Sequence, residues 1–249
     1  IVGHKFDEAL SKSSYGSRLR RYRPDPGSIK VSLGKYHLNS LSSFQPYFEH
    51  YKKWRNQGLQ SIRKELEEDH AVIAVSMDLT SYYHRIDPSF MKNKSFLSES
   101  NIELSKWELE FTTAYSLALQ NWSKIVKERM HQFGCSKKEV NIGGLPIGLS
   151  ISRILSNVLL LGLDRDIEQG LTPIYYGRYV DDIFLVIKDP LNLKSPEDLF
   201  RFFSERTKYF PNFDEIKNGN VFLTLTKEYQ KKTKLLLQKD KQKAFFLQG

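Results

Sequence analysis

Ile174-Tyr175-Tyr176-Gly177-Arg178-Tyr179-Val180-Asp181-Asp182-Ile183-Phe184-Leu185-Val186-Ile187 is the stretch on which the fold turns. Residues 174–179 and 183–187 are two runs dense in Tyr, Ile, Phe and Val, the residue types that fit a pleated surface. Val180, Asp181 and Asp182 lie between them, so the whole reads as a β-hairpin with two acids at its tip.

A second apolar run, Ala71-Val72-Ile73-Ala74-Val75-Ser76-Met77, stops at Asp78. It is apolar on both faces, which suits a central buried strand. If this strand neighbours the hairpin, Asp78, Asp181 and Asp182 converge at one edge of a sheet. Carboxylates packed together raise each other's pKa, so such a cluster calls for cations. Mg²⁺ fits, because it takes oxygen ligands and keeps partners such as water and substrate phosphates. A pair of such ions about 3.5–4 Å apart would activate an attacking hydroxyl and stabilise a leaving oxygen. The competing reading is structural: Asp tolerates turns, and Asp after a strand often caps a helix.

Outward from these acids the pattern is α+β, with strands and helices alternating irregularly. Ser43 to Leu66 is expected to be helical, with Phe44, Tyr47, Phe48, Tyr51 and Trp54 spaced as a core face. Ser105 to Met130 is a second long helix. A Gly-Gly-Leu-Pro-Ile-Gly loop over 143–148 leads into a third, with Ser150 or Ser152 near its start and Gly170 beyond its end. Ser195 to Phe210 reads as another helix, and Lys227 to Lys243 as a strongly basic stretch.

The 249 residues are 40% hydrophobic and 27% charged, an ordinary globular balance that argues against a disordered chain. Thirty-eight Lys and Arg against 29 Asp and Glu give a net charge of +9, which favours an anionic partner such as nucleic acid. Cys135 is the only cysteine, which excludes an internal disulfide or a cysteine zinc site and fits a reducing cytoplasm. No apolar run of about 18 residues is present, so no membrane span is expected.

Taken in order, the motifs resemble those of reverse transcriptases. Met77-Asp78-Leu79-Thr80-Ser81-Tyr82-Tyr83-His84-Arg85-Ile86 is similar to motif A of that family. Gly144-Leu145-Pro146-Ile147-Gly148 followed by Ser152-Arg153-Ile154-Leu155-Ser156-Asn157 resembles motif B of its bacterial members, and Tyr179-Val180-Asp181-Asp182 resembles motif C. Lys232-Thr233 is similar to the end of motif D, and Phe246-Leu247-Gln248-Gly249 to the primer-grip turn. Ser14-Tyr15-Gly16-Ser17-Arg18-Leu19 resembles a segment of retron-like and phage-defence (abortive-infection) reverse transcriptases.

The resemblance implies a right-hand polymerase with an antiparallel palm sheet flanked by helices and a thumb missing or minimal. Fingers would span residues 1–70 and 92–140, and the palm 71–91 and 141–249. It implies RNA-directed DNA synthesis with two Mg²⁺ ions, or Mn²⁺ in their place, held by Asp78, Asp181, Asp182 and the Leu79 carbonyl. Tyr83 would be the steric gate that selects deoxynucleotides, and core packing is its alternative. Pro146 and Gly148 would shape the loop under the incoming base, and Arg18 and Arg20, from a cluster with Arg21 and Arg23, would reach the triphosphate. Lys232 would protonate the departing pyrophosphate, and Phe246, Leu247 and Gly249 would hold the primer. The implied partners are an RNA template, a DNA primer or product and dNTPs in a bacterial cytoplasm, with antiviral defence as the setting. A non-coding RNA, a homo-oligomer or partner protein, protein-primed or untemplated synthesis, and a scaffold subunit without catalysis stay open at this stage.

Overall fold

A computed structural model of the chain describes residues 2–20, 43–134, 144–189, 191–212 and 219–248. Its centre is a four-stranded antiparallel sheet in the order β2-β3-β1-β6, formed by Tyr175–Tyr179 (β2), Asp182–Lys188 (β3), Val72–Asp78 (β1) and Lys243–Leu247 (β6). The helices are α1 (Gly3–Glu8), α2 (Tyr47–Glu67), α3 (Tyr82–Arg85), α4 (Lys94–Glu99), α5 (Lys106–Gln132), α6 (Ser150–Leu159), α7 (Leu161–Leu171) and α8 (Pro196–Arg206). A short pair, β4 (Val221–Phe222) and β5 (Leu236–Leu237), lies apart from the main sheet. The α+β expectation holds in this form: an antiparallel sheet with helices.

The apolar character of β1 and β3 follows from burial on both faces. Ile73, Val75, Met77, Ile183, Leu185 and Ile187 enter one cluster, which α1, α6, α7 and α8 complete through Phe6, Leu155, Leu163 and Phe203. Val72, Val186, Tyr175 and Tyr179 alternate onto the other face and meet Trp54 of α2. Close seating of α2 requires Gly58, since a Cβ there would stand 2.2 Å from the Phe184 ring. The aromatic run of α2 therefore divides: Trp54 is buried, but Tyr47 and Phe48 are 63% and 71% exposed, against the expectation of a wholly core face.

The helix expected after the glycine loop is two helices, α6 and α7, which abut at Leu160. Gly170 sits inside α7 rather than beyond its end. Its missing side chain has a packing reason, because a Cβ would lie 2.2 Å from the Arg206 carbonyl at the end of α8. Thr172, with φ +43, takes the left-handed position that closes the helix. Ser105 opens α5 with a reciprocal capping box to Glu108, and Lys5 of α1 bonds the same carboxylate at 2.7 Å.

One guanidinium joins these layers. Arg178 of β2, fully buried, donates through Nε and one terminal nitrogen to both oxygens of Asp164 on α7, each at 2.7 Å. The remaining donors go to the Asn157 side chain at 2.9 Å, the Asn157 carbonyl at 3.0 Å and the Val180 carbonyl at 2.8 Å. An Arg side chain has five N–H groups, and all five are used. Asn157 passes the linkage on, donating to the Gly16 carbonyl at 2.7 Å.

Breaking a buried, fully bonded ion pair strands the surviving charge, at a cost of about 3–5 kcal/mol. Asp164→Ala is therefore expected to lower the unfolding free energy by that amount in urea denaturation. A loss below about 1 kcal/mol would mean that the pair is no more than a surface-grade bridge.

Candidate active site

The register of the sheet brings the three acids together. Asp78 is the last residue of β1 and lies opposite Asp182, the first residue of β3, and Asp181 sits in the turn beside them. Leu79 donates its amide to the Asp181 carbonyl at 3.2 Å, so the end of β1 and the hairpin tip are tied by backbone as well. Asp78 is not a helix cap: α3 starts four residues later, with Ser81 at φ +54 in the capping position.

The hairpin is a two-residue turn, because Tyr179 pairs with Asp182. Val180, at φ +60, has the positive φ that a type II′ turn demands of its first central residue. That conformation is costly for a β-branched side chain, by about 1–3 kcal/mol. The surroundings hold it there: Arg178 bonds the Val180 carbonyl, and Gly16 packs so close that a Cβ would lie 2.7 Å from the Val180 side chain. The Ser14-Tyr15-Gly16 segment is thereby placed. Tyr15 donates its amide to the Arg178 carbonyl at 2.8 Å and its hydroxyl to Gln57, and Ser14 bridges Arg178.

Electrostatics follow from this crowding. Burial first, then the charge of Asp78, pushes the Asp181 carboxyl above its ordinary range. Burial, then Asp181 and Asp78, pushes Asp182 from 3.8 up to about 6. Among the described residues Lys241 is in direct contact with the acids, its Nζ 2.8 Å from an oxygen of Asp78. The hydrogen bond to Asp78 in turn raises the Lys241 ammonium above its usual pKa. Gln242 fixes that lysine's neighbourhood, since its side-chain amide accepts from the Asp78 amide at 3.2 Å and donates to the Asp78 carbonyl at 3.1 Å.

Tyr82 and Tyr83 differ in burial, although both pack on the core. Tyr82 is 2% exposed and donates its hydroxyl to the Ser156 carbonyl, so it is a core residue. Tyr83 is half-buried and near enough to Asp181 that this carboxylate, after burial, helps hold its phenol un-ionised. Its carbonyl accepts from the Leu145 amide at 2.8 Å, which pins the glycine loop against α3. Gly144 is needed there, because a Cβ would stand 2.1 Å from that carbonyl. Beyond this anchor Pro146 is half-buried, Ile147 is 68% exposed, and Gly148 turns at φ +98 in open space. Arg85 and Asp87 order the segment after α3: Arg85 Nε donates to the Thr80 carbonyl, and Asp87 caps the 3₁₀ turn Pro88–Lys92.

Other expected residues lie elsewhere. Arg18 is spent on structure, pairing with buried Asp7 at 3.1 Å and bonding the carbonyls of Asp7, Ser11 and Ser14. The expectation that it reaches a triphosphate is revised accordingly. Arg20 sits in a short bridge region, its amide on the Ser43 carbonyl at 2.9 Å, and Arg21 and Arg23 lie outside the described residues. Lys232 lines a groove with Lys92, Lys94 and Lys231 and has no contact with the acids. Phe246 and Leu247 are strand residues of β6 opposite Ile73 and Val72, rather than a turn. Ile73 is about 17 Å along β1 from Asp78 at ~3.3 Å per residue. Gly249 lies outside the described residues.

The oxygen-only donor set at the end of β1 and the hairpin tip suits Mg²⁺, and so does the repulsion already held in check by Lys241. A tighter cluster of ligand atoms exists among the described residues at the end of α2, where Glu65, Glu68 and His70 keep theirs within 4.8 Å of one another. The aspartates do not close to that spacing. Glu65 is already paired with Lys188 at 3.2 Å and with His70 at 2.9 Å. No helix among the described residues is long and apolar enough to cross a membrane. No protein-family model matches the chain, and no curated protein matches it.

The raised Asp182 carboxyl gives a pH dependence of definite sign. A carboxylate whose folded pKa exceeds its unfolded value binds its proton more tightly when folded, so ionising it opposes folding. Metal-free protein should therefore lose part of its stability as pH rises from 3.8 through about 6. Melting temperatures measured in EDTA across that window should fall for the wild type and fall less for Asp182→Asn.

Proposed function

We propose that the chain is the catalytic core of an RNA-directed DNA polymerase of the bacterial, defence-associated reverse transcriptase kind. The observation that carries this reading is the pairing of Asp78 with Asp182 across β1 and β3, with Asp181 in the β2–β3 turn beside them. Three acids from two distant stretches of sequence meet at one end of the two central strands, beside a tyrosine and a glycine loop that are bonded to each other.

On this reading Asp78, Asp181, Asp182 and the Leu79 carbonyl would hold two Mg²⁺ ions, whose chemistry would be to lower the pKa of the attacking hydroxyl and neutralise charge on the leaving phosphates. A primer 3′-oxygen attacks the α-phosphorus of a dNTP. The new P–O bond replaces the bond to pyrophosphate, and the hydroxyl proton passes to solvent. On this reading the half-buried ring of Tyr83 would be the steric gate against a ribose 2′-OH, and the loop through Pro146 and Gly148 would lie beneath the incoming base. The sheet with its flanking helices plays the palm (71–91 and 141–249), and α2 and α5 belong to the fingers (1–70 and 92–140). RNA template, DNA primer and dNTPs are the partners, and a bacterial cytoplasm under phage attack is the setting.

A second reading has its own observation. The Lys241 ammonium occupies an oxygen of Asp78 and would compete with a metal ion there, which favours a polymerase-like, nucleic-acid-binding subunit that does no chemistry. Purified protein with Mg²⁺, RNA template, DNA primer and labelled dNTPs separates the two. The catalytic reading expects incorporation that falls by at least about a thousandfold in Asp181→Ala/Asp182→Ala, in line with loss of the main electrostatic term. It also expects Tyr83→Ala to admit ribonucleotides. Incorporation without added template, or onto protein, points to self-primed synthesis by the same site. Tight RNA binding with no incorporation in any of these reactions overturns the catalytic reading in favour of the second.

A further inference from the structure

Between the turn Pro88–Lys92, the start of α4 and the turn Glu228–Gln230 lies a groove of about 630 Å³ that plays no part in the site above. Four lysines line it, Lys92, Lys94, Lys231 and Lys232, against one acid, Glu228. Glu228 is paired with Lys231. Among the described residues Lys92, Lys94 and Lys232 have no carboxylate within 4.0 Å. The groove thus carries a net three positive charges, three of its lysines unneutralised by protein.

The walls are built rather than draped. Asp87 donates its amide to the Thr233 hydroxyl at 3.0 Å, and Lys234 donates its amide to the Arg85 carbonyl at 3.1 Å, so the two turns are stitched together below the lysines. Tyr229 is fixed by its hydroxyl on Glu99 at 3.1 Å and by an edge contact with Phe96, ring centroids 5.2 Å apart. Two chain segments some 140 residues apart are therefore held so that their lysines face one space. Gathering like charges is unfavourable unless an anion is there to receive them, and ammonium groups on flexible stems suit phosphate oxygens of varied geometry.

We propose that this groove is a binding site for clustered phosphate groups, either those of a nucleotide polyphosphate or those of a nucleic-acid strand. The site is separate from the aspartates, and its occupation does not depend on catalysis. Lys232, expected from the sequence to act on pyrophosphate at the carboxylates, belongs instead to this groove.

The test uses the full chain in EDTA, so that nothing at the aspartates depends on a metal ion. Binding of a fluorescein-labelled single-stranded RNA of about 12 nucleotides is followed by anisotropy at several salt concentrations, and binding of inorganic tripolyphosphate by calorimetry. Lys92→Gln/Lys94→Gln/Lys232→Gln is compared with Lys52→Gln/Lys64→Gln/Lys208→Gln, which removes equal charge from exposed positions elsewhere, both checked for folding by circular dichroism. The proposal expects the groove variant to lose at least about tenfold in affinity for one or both probes, with a flatter salt dependence. The control should change less than about twofold. Loss confined to tripolyphosphate assigns the groove to a nucleotide, and loss confined to RNA assigns it to a strand. Equal losses in the two variants, or wild-type binding by the groove variant, would overturn it. A protein inactive in polymerisation can still pass this test, and an active one can fail it.

Discussion

The Arg178 guanidinium is the constraint on which the other features of the site rest. A charge so deeply buried is tolerable only with every donor satisfied and a carboxylate in bidentate contact. Meeting that condition forces Asp164 of α7, Asn157 of α6 and the Val180 carbonyl to converge on one point. Helix positions, hairpin turn and the Gly16 approach then cease to be independent. The left-handed backbone at Val180, unfavourable alone, becomes the conformation in which its carbonyl meets a charged donor. The tip that carries Asp181 and Asp182 is thereby held by protein contacts on both sides.

At that tip, the acids are balanced from one side. Lys241 reaches Asp78 because β6 runs beside β1, with Lys243 opposite Ser76, and because the Gln242 side chain continues the ladder where the strand pairing stops. The ammonium thus lies against the one member of the triad supplied by β1. Asp181 and Asp182 keep their raised protonation tendency despite it, since burial contributes more than any single neighbouring charge.

Much of this was legible in the sequence, for identifiable reasons. The two apolar runs ending in acids specified strands and their ends, since a strand buried on both faces has few alternatives. Glycines at 58, 144 and 170 are explained only by the fold: each marks a backbone or ring approach that no local pattern encodes. Arg178 is inconspicuous inside a run of strand formers, although a lone arginine in an apolar strand is itself a sign of a buried acid elsewhere. Lys241 was one lysine among many in a basic stretch, and only the register of β6 singles it out. The arginine cluster misled in part, because Arg18 answers the buried charge of Asp7. The resemblance implies a turn at Phe246 and Leu247, whereas strand formers placed beside β1 extend the sheet.

Mn²⁺ titration followed by electron paramagnetic resonance tests the central claim most directly, because it counts the ions and senses their separation. The account predicts two spin-coupled Mn²⁺ ions per chain, about 3.5–4 Å apart. Binding should be abolished in Asp181→Ala/Asp182→Ala and kept in Glu65→Gln/His70→Ala. Mn²⁺ that survives the aspartate substitutions and is lost with Glu65 and His70 would contradict it, and would place the protein's cation chemistry at the end of α2.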